Sequence, residues 1–450
     1  MITHQIKKGF DLDLAGAPAR ELVDAPDPVV VALRPSDFPG IKPKLLVAEG
    51  QTVTTGQPVF LDKNSPGTRF CSPATGKVSA VVLGERRALL RVEIVPGPKD
   101  EWAPLPRIES GKLASMPRGK LVEAVQEAGL WPLIRQRPVG RIADPAVTPV
   151  AIFVNGMDTE PLAADPAFAV GGRGEDLQAG IDVLRALSGG PVYLTVRAAD
   201  ATKEFRALHG VEMHAFDGPH PAGLVGTHIA AIRPLKHGQS VWYLKAQEAA
   251  LIGEWARTGR YPCKRVVALS GNAAENRRYY RVRQGATLAT FTGGKPAPTA
   301  VRLINGTVLS GTADASPGFL GFYANTVTLI PEGHDHRDLF GWALPQPRRL
   351  TFHRAVWPFG KPRGVEVDAR LNGGHRPIVN MGSWEAVTPL DILPTYLVRA
   401  IQANDLDEAL NLGLLEVTEE DVALCTVVDP CKIDVGAIVR QGLDLYAKEI

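Results

Sequence analysis

The chain has 450 residues, with 50 basic and 48 acidic side chains and a formal net charge of +2. That length suits about three domains of ~150 residues each, and the even charge balance, with no basic stripe, argues against nucleic acid as a partner. The only cysteines, Cys71, Cys263, Cys425 and Cys431, are too few and too scattered for a disulfide framework, so a reducing cytoplasmic setting is expected.

Residues 1–9 carry no apolar signal core. The longest apolar runs, such as residues 29–33, fall far short of the ~20 residues of a membrane helix. Contact with a membrane is therefore expected only through a partner.

In chain order, the first strong pattern spans residues 47–60. Two short apolar runs flank an E-G-x-x-V-x-x-G-Q turn that begins at Glu49 and ends at Gln57. A tight turn, Ser72-Pro73-Ala74-Thr75-Gly76, then leads into an alternating strand over 77–82. This is the pattern of a small barrel-sandwich of the lipoyl or biotinyl-carrier type, predicted over 30–100 and closed by the breaker cluster Pro96-Gly97-Pro98. Residues 104–117 read as a linker, and 121–128 as a helix stopped at Gly129.

An α/β rhythm starts at residue 150. A buried strand over 150–154 ends at Asn155-Gly156. A helix over 175–188 carries the stripe Leu177, Ile181, Leu184 and Leu187, and a second strand covers 192–196. Short links between them predict a parallel sheet with a right-handed crossover. A further helix over 247–258 closes at Gly259. Strands over 265–269, 301–304 and 325–330 outline a compact ubiquitin-like unit, and helices over 391–403, 405–412 and 435–446 form the tail.

The expected architecture is multi-domain α/β. It comprises an N-terminal segment (1–29), the barrel-sandwich (30–100), a Rossmann-like parallel α/β domain (101–258), a ubiquitin-like β-grasp domain (259–335), a connecting segment (336–388) and a C-terminal helical domain (389–450).

Several residues invite chemistry. Lys63 is expected on a hairpin tip, where a carrier domain bears its acylated lysine; Asn64-Ser65-Pro66-Gly67 makes that tip long and stiff, against a swinging arm. His214, His220 and His228, with Asp217, lie close in sequence but match no standard metal spacing. His334 and His336 beside Asp335 and Asp338 read as a polar surface turn. Cys425 and Cys431 fall short of the four thiolates of an iron–sulfur cluster and read as small buried thiols. Gly171-Gly172-Arg173-Gly174 precedes a helix, a place that attracts phosphate, though no strand leads into it. No nucleophile–base arrangement is recognisable, and no metal site is predicted.

Segments along nearly the whole chain carry a resemblance. They include Ile6-Lys7-Lys8-Gly9-Phe10-Asp11-Leu12, Asp62-Lys63-Asn64, Gly129-Leu130-Trp131, Arg135-Gln136-Arg137-Pro138 and Met157-Asp158-Thr159-Glu160-Pro161. Phe216-Asp217-Gly218-Pro219-His220-Pro221-Ala222-Gly223-Leu224 and Leu339-Phe340-Gly341-Trp342-Ala343 are the most specific. In this order they resemble the NqrA family, the A-subunit family of sodium-translocating NADH:quinone reductases. That family is in turn similar to the flavin subunit of complex I and to the C subunit of Rnf complexes, and the β-grasp unit is then of the SLBB type.

The flavin subunits carry a glycine-rich loop whose backbone amides reach the flavin phosphate. Here the corresponding stretch is Trp131-Pro132-Leu133-Ile134 through Pro138, whose prolines lack amide donors and whose side chains block close approach. The tail over 401–415 resembles the helix before the second cluster of the Rnf protein, giving a degenerate ferredoxin-like domain. Asp429-Pro430 stands where the family reads Cys-Pro.

The resemblance implies a translocase component, inactive alone, in a six-subunit pump that passes electrons from NADH to ubiquinone and exports sodium. It implies no cofactor on this chain. FMN, FAD, riboflavin and iron–sulfur centres would sit on other subunits. It implies a peripheral place on the cytoplasmic face of the bacterial inner membrane, docked on the other five subunits, chiefly the membrane-embedded B subunit. It also implies a part in binding ubiquinone. A quinone needs an apolar slot for its ring and donors for its carbonyls, and Arg34, Phe38, Trp131, Arg135 and Arg137 are the candidate residues. The alternatives are a carrier acylated at Lys63 and a flavin-binding component of an NADH dehydrogenase.

Overall fold

The computed structural model describes residues 1–108, 111–199, 202–293, 301–314, 318–333, 350, 352, 362–379 and 382–449. The barrel is built from two facing sheets. Val31–Leu33, Leu89–Pro96, Gly76–Leu83 and Thr52–Val53 form one, and Pro43–Leu45, Pro58–Asp62 and Arg69–Cys71 the other. Their alternating side chains put Val31, Val53, Val59, Phe60, Val78, Val92 and Ile94 in a closed core.

The α/β unit has a seven-stranded sheet. Ile2–Gln5, Glu212–Asp217, Val192–Arg197, Ile152–Asn155 and Val241–Lys245 run parallel, and Arg135–Arg137 pairs antiparallel with Val241–Lys245, followed by Arg141–Ile142. The chain winds outward from Ile152–Asn155 to one side, then returns through helix Val225–Ile232 to pair Val241–Lys245 on the other. The strand order therefore reverses between Ile152–Asn155 and Val241–Lys245.

Helices Gly174–Leu187 and Ala246–Thr258 pack tightly together on this sheet. Glycines at the crossing allow it. A Cβ on Gly180 would lie 1.9 Å from the Ala249 carbonyl oxygen, and one on Gly253 1.7 Å from that of Asp176.

A six-stranded β-grasp sheet, in the order Thr312–Asp314, Val301–Asn305, Thr326–Pro331, Lys264–Ser270, Arg278–Arg283 and Ala19–Asp24, follows in space. The N-terminal segment is thus not a separate unit. Ile2–Gln5 edges the α/β sheet and Ala19–Asp24 edges the β-grasp sheet. Neither strand has a buried apolar face of its own, so nothing local marked it; backbone pairing to distant partners forms it.

The C-terminal unit packs Pro394–Gln402, Leu406–Asn411, Ala423–Val428 and Val435–Glu449 around Leu397, Val398, Ile401, Val439 and Leu443. Arg137 of the α/β sheet meets it through Asp421 Oδ2 at 2.7 Å and Glu420 Oε1 at 3.2 Å. Arg440 donates to the Val139 carbonyl at 2.9 Å and pairs with Glu419. Among the described residues no helix is long and apolar enough to cross a membrane.

Candidate functional site

Two cavities lie where these units meet. The first is bounded by the barrel, the loop 129–132 and the β-grasp unit, with about 400 Å³ of empty space. Its walls include Arg34, Phe38, Phe70, Tyr261, Gln284 and Phe322. Phe38 packs 4.3 Å from the Phe70 ring and 4.8 Å from that of Phe322, which makes an aromatic floor. Arg34 is fixed by Asp37 Oδ1 at 3.0 Å and Asp314 Oδ2 at 2.6 Å. Burial alone would lower its pKa, but the two carboxylates outweigh burial and raise it, so the guanidinium stays charged. Tyr261 and Gln284 add an O–H and an amide at the wall; the Gln284 amide N–H donates to the Pro262 carbonyl at 2.9 Å. Burial pushes the Cys71 thiol up to about 12, so it lines the cavity as a neutral group.

The second cavity, of about 410 Å³, opens at the carboxyl ends of Ile152–Asn155 and Val241–Lys245. Arg135, Asn155, Asp158, Glu160, Tyr243 and Lys245 come from the α/β unit, Ser310 from the β-grasp unit and Glu420 from the C-terminal unit. Glu160 Oε2 accepts from the hydroxyls of Thr307 at 2.7 Å and Ser310 at 2.8 Å. Burial, helped by Asp158, raises the Glu160 carboxyl to about 7. Lys245 sits 3.4 Å from Asp158 Oδ2. Burial would raise Glu420, but Arg137, Arg135 and Lys245 prevail and lower it. The Arg135 guanidinium carbon lies 4.6 Å from the Tyr243 ring centroid and 4.9 Å from that of Tyr323.

Comparison with known proteins adds what geometry leaves open. Residues 4–96 match the NqrA N-terminal barrel-sandwich hybrid domain, 116–261 the NqrA second alpha/beta domain, and 266–314 the NQRA C-terminal domain. Over 448 residues, 99% of both chains, the sequence is 40% identical to the A subunit of the Na(+)-translocating NADH-quinone reductase of Serratia proteamaculans. It is 39% identical over 447 residues, again 99% of both chains, to that of Neisseria meningitidis serogroup B, and 38% identical over the full length to that of Pasteurella multocida. The chain belongs to the NqrA family, the A subunits of Na(+)-translocating NADH-quinone reductases.

In this NqrA fold the five candidate quinone residues separate. Arg34 and Phe38 line the first cavity. Trp131 does not. It is fully buried in the α/β core, its indole N–H on the Ala143 carbonyl at 2.7 Å and its ring edge-on to Trp242. Arg137 is buried in its carboxylate pairs and lines neither cavity. Arg135 lines the second cavity, not the first. Trp131 precedes the strand Arg135–Arg137 in a buried turn, whereas Arg135 and Arg137, two residues apart, share one face of that strand beside the Tyr243 ring, and Asp421 and Glu420 engage Arg137 alone.

The other expected groups are also placed. Lys63 is exposed on the hairpin between Pro58–Asp62 and Arg69–Cys71, and Asp62 Oδ1 accepts the Lys42 and Asn64 amides beside it. The histidines take separate partners. His214 Nδ1 lies 3.0 Å from His4 Nε2, His220 Nδ1 3.1 Å from Thr159 Oγ1, and His228 Nδ1 3.0 Å from Thr195 Oγ1. Burial lowers His220 to about 4 and His228 to about 3, so both rings are neutral. Asp217 caps its own turn through the Gly218 amide. In the glycine turn before helix Gly174–Leu187, the Gly172 amide donates to Glu204, and Arg173 pairs with Asp176 and Glu254. Carboxylates thus take the place a phosphate would need. Cys425 and Cys431 are buried, and burial raises Cys425 to about 12. His334, Asp335, His336 and Asp338 lie outside the described residues, as does the segment 339–343.

The second cavity was missed from sequence, apart from Arg135. One signal was present: strand 150–154 ends at Asn155, and open α/β sheets bind ligands beyond the carboxyl ends of their strands where strand order reverses. Glu420 and Ser310 gave none, because they arrive from other units.

Proposed function

We propose that this chain works as the peripheral NqrA component of a sodium-pumping NADH:ubiquinone reductase. It docks on the other five subunits, chiefly the membrane-embedded B subunit, at the cytoplasmic face of the bacterial inner membrane, and helps to hold the quinone. The observation that carries the quinone assignment is the first cavity, which combines an aromatic floor at Phe38, Phe70 and Phe322 with a charged donor at Arg34. The floor suits a planar ring by offset or edge contact. Arg34 offers N–H donors to a carbonyl oxygen, and its Nε is buried without a partner. A reduced ring oxygen carries more negative charge than a quinone carbonyl, so a fixed guanidinium favours reduction. Trp131 and Arg137 act as framework in this reading, and the electrons come from centres on other subunits.

The same reading assigns this chain no flavin and no iron–sulfur cluster. The support is an accounting of donors. The amides of Ala128, Gly129, Leu130, Leu133 and Ile134 are all engaged by nearby carbonyls, and Pro132 has none. A side chain has no room at Gly129, since a Cβ there would lie 2.3 Å from the Cys71 sulfur. A phosphate cradle needs free amides at just this kind of loop.

The test is photo-cross-linking of the intact complex with a quinone bearing a ring-proximal azide, followed by peptide mapping. Label on segments 32–38, 70–73 or 284–285, suppressed by excess ubiquinone, is the expected result. Label confined to the membrane-embedded subunits overturns the assignment.

A further inference from the structure

We infer that the cavity at the carboxyl ends of Ile152–Asn155 and Val241–Lys245 binds a small hydroxylated organic anion, its carboxylate or phosphate held by Arg135 and Lys245 and its hydroxyls by Glu160 and Glu420. The inference stands apart from the quinone assignment, which concerns the other cavity.

Position is the first reason. The site lies where strand order reverses, the place at which open α/β sheets leave a crevice. Here three units close around it, since Ser310 and Glu420 reach in from outside the sheet.

Unused bonding capacity is the second. Among the described residues no hydrogen bond or ion pair engages the Arg135 guanidinium, and its Nε is buried without a partner. The Tyr243 and Tyr323 rings beside it attract its charge but satisfy no N–H. A guanidinium is a planar fork that takes a carboxylate or phosphate through two parallel bonds. Lys245 makes one long contact to Asp158, which leaves further ammonium protons for the same anion.

The carboxylates decide what else the ligand carries. Glu420 Oε1 accepts from Arg137 and Glu160 Oε2 from two hydroxyls, so each retains an oxygen outside those bonds. Ligand hydroxyls satisfy such oxygens. A polyphosphate does not suit the site, because Asp158, Glu160 and Glu420 would face its several charges. A single anionic group beside one or more hydroxyls fits both halves of the wall.

The experiment is isothermal titration calorimetry of the full-length chain with malate, glycerol 3-phosphate and inorganic phosphate. Malate against glycerol 3-phosphate separates a carboxylate ligand from a phosphate one. At least one of these two is expected to bind with one site per chain and more tightly than inorganic phosphate. Arg135→Gln is expected to weaken that binding about tenfold or more, with Arg135→Lys retaining part of it. Lys245→Gln serves the same purpose should Arg135→Gln not fold, as judged by circular dichroism. Absence of binding by all three probes overturns the inference. So does binding that neither Arg135→Gln nor Lys245→Gln changes, which would leave Arg135 as a purely internal counter-charge to Glu248 and Glu420.

Discussion

Arg137 Nη2 lies 2.7 Å from Asp421 Oδ2, and both side chains are only 2% exposed. This pair joins the antiparallel strand of the α/β sheet to the C-terminal helical unit just before its helix Ala423–Val428, with Glu420 as a second acceptor. Burial penalises the Arg137 charge, but the neighbouring carboxylates more than offset it and its pKa is raised.

Removing one partner of a buried pair leaves the other charge stranded, at a cost of about 3–5 kcal/mol. Arg137→Met is therefore expected to loosen the C-terminal unit. Amide hydrogen exchange across 394–402 and 435–449 should accelerate while the barrel stays protected. The double variant Arg137→Met with Asp421→Leu should recover much of the protection. Unchanged exchange in the single variant would contradict the role of this pair.

Glu160 gives a pH dependence. Its folded pKa is raised to about 7 from the ordinary 4.5, chiefly by burial, so the neutral carboxyl is the form the fold prefers. Between these two values the folded state binds more protons than the unfolded one, and stability falls as pH rises through that window. The full effect is on the order of 3 kcal/mol and is complete above about pH 7. Glu160→Gln keeps an acceptor for Thr307 and Ser310 but cannot ionise. Its stability relative to wild type should therefore improve between pH 5 and pH 8 in denaturant unfolding. A constant difference across that range would refute the assignment.

The crossing of Gly174–Leu187 with Ala246–Thr258 tolerates no added methyl. Gly180→Ala and Gly253→Ala each press a carbon against a helix backbone, and overpacking of this kind costs about 1–3 kcal/mol or more. Gly119→Ala, in helix Arg118–Glu127, meets nothing within 4 Å and should instead stabilise by up to about 1 kcal/mol. Thermal melts of the three variants should sort in opposite directions.

The thiols should be quiet. Cys71, Cys425 and Cys431 are buried and Cys263 is partly buried. An aromatic disulfide reagent is expected to modify at most Cys263 quickly in the native chain and all four cysteines in denaturant. Fast native modification of Cys71 would show that the first cavity opens widely.

Much of the fold could be read from the chain because it is locally encoded. The stripe Leu177, Ile181, Leu184 and Leu187 predicts a helix over 175–188, and the helix spans Gly174–Leu187 with all four side chains buried. The alternation over 77–82 likewise marks the strand Gly76–Leu83. Period and turn chemistry act over a few residues, so one sequence displays them. Arg34 and Phe38, two of the five residues offered for a quinone under the family resemblance, line the first cavity.

By itself, then, the sequence determined the barrel, the α/β rhythm, the β-grasp strands, the helical tail and the NqrA resemblance. All are properties of local period or of ordered segments. Only the tertiary structure decided that Ile2–Gln5 and Ala19–Asp24 edge two different sheets, that Trp131 turns inward, and that Arg135 and Arg137 part company. It alone brought Ser310 and Glu420 to the crevice beside Lys245. Which charges end up facing one another is settled by packing between units far apart along the chain, and no short-range pattern carries that information.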